Sequence, residues 1–522
     1  MSLLKSGAVV SVMTLLSRVL GLVRDIVIAN ILGAQAATDV FLVAQKIPNF
    51  LRRLFAEGAF SQAFVPVLSE YQQQRDKQAA LHLVSKVSGT LGVILLVVTL
   101  VGVLGSSGLG AMFGAGFLRE GQLHKYYLVS DLIKITFPYI FFISLTAFAG
   151  SILNSLGRFA VPAFAPVLLN VCIIFAAIWI SPLLSEPVEA LAWAIFVAGV
   201  LQLLIHLPFL WQQGYLVRPS WGWRDSGVRR ILKLMAPAMF GVSVSQINLL
   251  LDTIIASFLV TGSITWLYLS DRMLEFPLGI FGIAIATVIL PSLSREHASN
   301  SRAGMSKLLN WALHSVFLIG LPAAVGLFVL AEPVMLAVFQ HGEYTLEHAY
   351  QSSLSLQAYV LGLLGFMFIK VLATGYFSQQ NTKTPVKIGI IAMVVNMAFN
   401  LLLFQPYGHV GLAIATAISA TINASLLWIG LIKNKSLVMD KQWLWWVTRA
   451  LLSVIAMTAV ILLLQSDMAS WRDASVIDRV FELAWLIVCG GLTYVVCMFA
   501  LGFRIRELKS YASSVTTQGN AL

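Results

Sequence analysis

Apolar stretches long enough to cross a bilayer follow one another along almost the whole chain, separated by short polar segments rich in basic residues. A spanning helix needs about 20 largely apolar residues. Such runs fall near 7–32, 37–66, 84–113, 127–156, 161–181, 188–211, 229–259, 263–293, 307–330, 350–378, 384–404, 409–432, 443–465 and 479–502. The pattern predicts an all-α polytopic membrane protein of fourteen transmembrane helices. The run VMLAVFQ after Pro333 is too brief to span and is expected as a surface or re-entrant piece. The opening MSLLKSGAVVSVMTLLSR has no small-residue cleavage site before Arg18, so it is expected to remain as a first helix and not to be removed as a signal peptide.

Composition agrees with the pattern. Hydrophobic residues make up 58% of 522 positions, charged residues 11%, and the mean hydropathy is +0.86. Soluble domains carry roughly a quarter charged residues. With both ends placed in the cytoplasm, the inner segments collect 22 of the 34 basic residues, from Lys5 through Arg218, Arg224, Arg229 and Arg230 to Lys509. The outer segments receive four, Arg119, Lys125, Arg472 and Arg479, and eight fall within helices. That bias fixes the expected orientation. It also accounts for most of the +11 net charge, so no nucleic-acid partner is expected.

Two stretches read alike. Asp25-IVIANILGAQAA-Thr38 leads to VPVLSE at 65–70, and Asp252-TIIASFLVTGSI-Thr265 leads to LPSLSR at 290–295. Asp to Thr is thirteen positions in both, and six spans separate the copies, which keeps them in one orientation. The expectation is two six-helix lobes, 1–215 and 225–435, related by a pseudo-two-fold axis along the membrane normal with a substrate site between them. Residues 443–503 form an appended helix pair.

The charges inside the spans point to the ligand. Arg18, Arg24, Lys46, Arg52, Arg53, Arg272 and Lys370 all interrupt apolar runs. A cation at the bilayer centre costs at least about 2.5–3.5 kcal/mol on insertion scales, so it needs a polar cavity, a partner or a ligand. Helical spacing puts Arg18, Gly21 and Asp25 on one face and turns Arg24 about 100° away. Gly21 offers a bend point, and Pro48 interrupts the second span. In DRMLEFPLG, Asp271 and Glu275 stack at i, i+4, with Arg272 beside them and Pro277 following. Asp25, Asp39, Glu57, Asp271 and Glu275 are the acids available to neutralise this charge or to form gate contacts. Arginine's planar fork suits a phosphate or pyrophosphate group. A second cluster, Asp252 with Asn396, Asn400 and Thr416, offers oxygens for a monovalent cation or proton; an interhelical hydrogen-bond network is the plainer reading. There is no Walker loop, and neither the eight histidines nor Cys172, Cys489 and Cys497 have metal-ligand spacing. No enzyme activity, cofactor or metal is expected.

The segments SRVLGLVRD (17–25), ATDVFLVAQKIPNFLRRLFAEGAFSQAFVPVLSEY (37–71), FPYIFFISL (137–145), NSLGRFAVPAFAPVLLN (154–170) and DRMLEFPLGIFGIAIATVILPSLS (271–294) resemble the bacterial MurJ (MviN) family. These are lipid II flippases of the multidrug/oligosaccharidyl-lipid/polysaccharide exporter superfamily. The resemblance implies fourteen helices in two lobes around a V-shaped cavity, with helices 13 and 14 forming a lipid-tail groove. It implies a bacterial inner-membrane protein moving undecaprenyl-pyrophosphate-linked peptidoglycan precursor to the periplasmic leaflet. Membrane lipids are expected partners and a monomer is the expected state, although the sequence itself does not fix the oligomeric state. Functional charges then fall on Arg18, Arg24, Asp39, Arg52, Arg53, Glu57, Asp271, Arg272 and Glu275. In ATGYFSQQ (373–380) the chain departs from the family's usual APGFYS, with Thr374 in place of a proline expected to kink the tenth span. The rival readings are a flippase of another polyprenyl-pyrophosphate-linked oligosaccharide and a drug or cation antiporter, which needs an acidic cavity where this chain is basic.

Overall fold

The computed structural model describes residues 3–53, 60–74, 76–119, 121–440 and 442–504, with side chains except at 3–6, 8, 62, 237–238, 240–245 and 283. Among these residues every regular element is helical. In chain order the α-helices are α1 (Leu3–Leu32), α2 (Ala36–Arg52), α3 (Phe60–Gln74), α4 (Lys77–Leu104), α5 (Ser106–Phe113), α6 (Leu123–Thr136), α7 (Tyr139–Ser155), α8 (Ala160–Phe175), α9 (Pro187–Gln212) and α10 (Ser226–Ala256). They continue as α11 (Ser263–Pro277), α12 (Ile283–Ala298), α13 (Arg302–Val329), α14 (Ala331–Phe339), α15 (Leu346–Val360), α16 (Leu363–Phe377), α17 (Lys383–Lys433), α18 (Trp443–Leu464), α19 (Met468–Asp473) and α20 (Val476–Ala500).

Among the described residues nine helical stretches are long and apolar enough to cross a membrane, and α15 with α16, bent by 42° at their junction, makes a tenth. The described residues alone do not confirm fourteen. The expected spans 384–404 and 409–432 both lie in α17, which breaks at Gly408 with φ 55° and ψ −133°. The expected spans 7–32, 37–66 and 229–259 carry internal charge, and 37–66 also includes 54–59, outside the described residues. The short run after Pro333 is the nine-residue α14. No kink marks Thr374. α16 runs through it, with Thr374 Oγ1 donating to the Val371 carbonyl at 2.6 Å. A threonine keeps the backbone N–H and lacks the ring that clashes one turn back. The bend lies earlier, at 361–362, where a Cβ on Gly362 would meet Ala417 Cα at 2.7 Å.

Contacts divide the chain into two compact units: Met1–Thr265 with His341–Tyr344, and Trp266–Gln340 with Thr345–Leu522. This is a partition by packing. The lobes expected from the repeat are a partition by sequence likeness, so residues 226–265 fall differently in the two.

In the first unit α8 packs between α1 and α9, α7 packs on α9, and α10 lies against α3. Phe60 and Phe64 of α3 stack at 5.2 Å and meet Phe148 of α7 within a core that includes Leu83, Val87 and Ile231. Lipid tails are as apolar as these side chains, so close van der Waals fit and not water exclusion holds such helices together. α1 ends on Gly33 at φ +61°, and the Glu343 N–H donates to the Asn30 carbonyl at 2.9 Å. A Cβ on Gly33 would stand 2.5 Å from the Glu343 carbonyl oxygen, so this approach requires glycine.

In the second unit α13 packs against α12, α16 and α18, α16 lies on α17, and α18 pairs with α20. α20 also touches α14, and the short α19 closes that end. Arg472 of α19 donates to Glu332 at 2.9 Å; that bond, with the carboxylate's charge, holds the guanidinium above its ordinary pKa.

Each unit returns its chain onto the same Ser-Lys pair. In the first, Ser85 Oγ donates to the Arg218 carbonyl at 2.7 Å and the Ser220 N–H donates to the Ser85 carbonyl at 3.0 Å. In the second, the Val438 N–H donates to Ser306 Oγ at 2.9 Å, and Asn310 Nδ2 donates to the Val438 carbonyl at 2.8 Å. Ser85-Lys86 lies eight residues past the start of α4 and Ser306-Lys307 four past the start of α13. The linker after α9 and the linker after α17 are thus each clipped to a Ser-Lys pair in the N-terminal part of a long helix.

Candidate functional site

Arg24 and Asp25 sit in the C-terminal half of α1, 8% and 2% exposed. Arg24 Nε and Nη2 donate to Asp25 Oδ1 at 3.0 and 2.7 Å. Arg24 Nη1 donates to Asn170 Oδ1 of α8 at 3.1 Å, and Asn170 Nδ2 donates to the Ser17 carbonyl at 3.0 Å. Consecutive helical residues diverge by about 100°, so spacing alone suggested Arg18 as the residue sharing a face with Asp25. The structure instead curls the long Arg24 side chain back onto its neighbour and leaves Arg18 exposed. α1 continues through Gly21 as helix. A Cβ at Gly21 would make ordinary van der Waals contact with Asn170 Nδ2 at 3.8 Å, so the close packing there does not itself require glycine.

On α2 Asp39, 3% exposed, accepts from the Gly262 N–H at 2.6 Å, the Thr265 N–H at 2.9 Å and Thr265 Oγ1 at 2.7 Å. A carboxylate at the N-terminus of α11 satisfies backbone N–H groups that the helix cannot satisfy itself. Lys46 Nζ donates to Thr253 Oγ1 at 2.7 Å. Arg52 Nε donates to Asn49 at 3.3 Å and Arg53 Nη1 to Gln246 at 3.3 Å, both neutral amides. Glu57 lies outside the described residues.

In the second unit Arg272 Nη1 donates to Glu275 Oε2 at 3.0 Å and Nη2 to the Tyr268 hydroxyl at 2.9 Å, with the guanidinium over the Tyr268 ring. Asp271 and Glu275 were expected to stack; Glu275 instead pairs with Arg272 at i, i+3, and Asp271 is half-buried. Asn400 Nδ2 donates to Asn396 Oδ1 at 2.8 Å and Asn396 Nδ2 to Thr416 Oγ1 at 3.2 Å, with both asparagines fully buried. Asp252 belongs to the first unit, where Asn248 Nδ2 reaches it at 3.5 Å.

The structure therefore brings Arg24, Asp25 and Asn170 together, as it does Arg272 with Glu275 and Asn396 with Asn400 and Thr416. The repeat positions do not share partners: Thr38 Oγ1 donates to the Leu32 carbonyl at 3.3 Å, whereas its counterpart Thr265 serves Asp39. Asn170 and Gly21 were missed as a pair. The one available signal was a single polar residue interrupting the apolar run of 161–181. Among the described residues no group of three His, Cys, Asp or Glu side chains could hold a metal ion.

Among the described residues the chain is an all-helical, multi-span membrane scaffold with ion-paired arginines inside apolar helices, and solved membrane transporters share that fold. An inward-facing multidrug resistance MATE family transporter of the MOP superfamily aligns at TM-score 0.70 over 82% of this chain and 98% of its own, at 16% identity, a likeness of fold alone. A lipid II flippase MurJ in an inward closed conformation aligns at TM-score 0.79 and 27% identity, over 94% of this chain and 97% of its own. The profile of the family described as lipid II flippase MurJ matches residues 28–482. The probable lipid II flippases MurJ of Vibrio cholerae and Haemophilus influenzae are each 52% identical, over 97% and 95% of this chain and 98% and 99% of theirs. The lipid II flippase MurJ of Burkholderia cenocepacia is 39% identical over 97% of this chain and 98% of its own. The chain belongs to the MurJ family.

Proposed function

We propose that this protein moves lipid II from the cytoplasmic to the periplasmic leaflet of the bacterial inner membrane, with both of its own termini cytoplasmic. Membership of the MurJ family supports the substrate, and the 22-to-4 basic bias supports the orientation. The observation that carries the chemistry is Arg24, buried within an apolar helix and held by Asp25 and Asn170. Arg18, Arg24, Arg52, Arg53 and Arg272 bind the pyrophosphate. Before substrate arrives, Asp25 and Glu275 act as resident anions that keep Arg24 and Arg272 from standing uncompensated, and the pyrophosphate then takes their place. Removing one partner of a buried pair costs about 3–5 kcal/mol, so at the buried Arg24–Asp25 pair such an exchange requires an incoming anion, whereas the Arg272–Glu275 pair is solvent-accessible and opens at little cost.

Asp39, Glu57 and Asp271 contribute gate contacts that alternate between states. The lobes 1–215 and 225–435 carry out alternating access, and the pair within 443–503 accommodates the prenyl tail. Membrane potential drives the cycle, because a charge crossing the field gains about 2.3 kcal/mol per 100 mV. Asn400, Asn396 and Thr416 form a chain of hydrogen bonds, and the buried Asn400 Oδ1 is an oxygen that a cation or proton donor would use.

The test is flipping of lipid II by purified protein in liposomes. Arg24→Ala and Arg272→Ala should abolish flipping while the protein inserts normally, and an inside-negative potential should change the rate. Full flipping by both variants overturns the arginine reading, and indifference to potential overturns the coupling.

A further inference from the structure

Ser17, Gly21 and Arg24 lie at i, i+4 and i+7 on α1 and so form one stripe along its surface. Asn170 of α8 lies across that stripe. Its amide donates to the Ser17 carbonyl at 3.0 Å, passes over the missing side chain of Gly21, and accepts from Arg24 Nη1 at 3.1 Å. Asn170 is 6% exposed, so little water competes for either bond. The two ends of the guanidinium are treated differently. The Nε–Nη2 edge faces a carboxylate and Nη1 faces a neutral amide.

From this asymmetry we infer that Asn170 is a positioning residue for substrate binding: it orients Arg24 through Nη1 while leaving the charge of the guanidinium uncancelled. The inference rests on the reading that Arg24 binds the pyrophosphate. The Nε–Nη2 edge is the planar fork that matches two oxygens of a phosphate. When the anion displaces Asp25 from that edge, the bond to Asn170 persists and the fork stays aimed. An acceptor at position 170 has to be neutral for this to work. A carboxylate of the same shape would place a second negative charge on Arg24 and compete with the incoming pyrophosphate.

The experiment measures lipid II affinity of the purified full-length protein in nanodiscs, for Asn170→Asp, Asn170→Ala and Arg24→Ala, each also scored for folded yield. Positioning by a neutral acceptor predicts that Asn170→Asp, which keeps the volume, weakens binding by about tenfold or more, the scale of one hydrogen bond to a charged group. It also predicts that Asn170→Ala weakens binding less than Asn170→Asp, and that Asn170→Asp adds nothing in an Arg24→Ala background. A purely structural role predicts that affinity falls only in step with folded yield in both variants, since each loses the bond to the Ser17 carbonyl. Native affinity in Asn170→Asp, or a larger loss in Asn170→Ala, overturns the inference while leaving the arginine reading intact. Native affinity in Arg24→Ala overturns both.

Discussion

Replacing Asp39 by asparagine should loosen the start of α11 without changing the size of the side chain. Both carboxylate oxygens only accept: Oδ2 from the Gly262 N–H at 2.6 Å, and Oδ1 from the Thr265 N–H and hydroxyl at 2.9 and 2.7 Å. Asparagine has one acceptor oxygen, so whichever way it turns, an amide N–H₂ faces a backbone N–H. One charge-assisted bond is lost and the remaining two become neutral. With about 1.5–3 kcal/mol for a bond to a charged group and about 1 kcal/mol for a neutral one, the local cost is about 3 kcal/mol. Amide hydrogen exchange reads that cost directly, because protection reports the free energy of local opening. Gly262 and Thr265 should exchange about a hundredfold faster in Asp39→Asn than in the native protein, with the core of α7 unaffected. Exchange within about threefold of native at both amides would refute the assignment of Asp39 as the cap of this helix.

Two further perturbations test the fold. Ser85→Ala and Ser306→Ala each remove the side-chain hydroxyl of a linker clip, at about 1–2 kcal/mol apiece, and they share no partner, so the losses should add. Thermal inactivation in detergent should shift downward for each variant and further for the double variant; an unchanged midpoint for Ser306→Ala would show that its clip carries no load. Thr374→Pro should introduce a bend in α16 where the native chain has none, at about 3 kcal/mol. Spin labels at positions 366 and 378 should then move closer together, and an unchanged separation would show that the helix absorbs the ring.

The helical architecture was legible because apolar run length is a property of the sequence alone, and the runs coincide with helices from α4 through α20. The buried cations were legible for the same reason: charge within an apolar run is conspicuous. Their partners were not. Helical spacing pairs Arg18 with Asp25, but a long guanidinium can fold back one residue, and Asn170 holds Arg24 in that pose from α8, 146 positions away. Asp39 read as a charge facing a cavity because nothing in its own helix reveals that two backbone N–H groups from 262 and 265 will meet it. Thr374 in place of the family's proline put a kink there in doubt, and α16 runs through it; the bend at 361–362 was not legible, because the backbone proximity of Gly362 to Ala417 arises only on folding.

The two serine clips bear on the order of assembly. They tie positions 133 and 132 residues apart. On a chain made from its N-terminus, the clip at Ser85 has both partners once Arg218 and Ser220 emerge, before Ser306 exists. The first bundle can therefore be fastened while the second is still being translated.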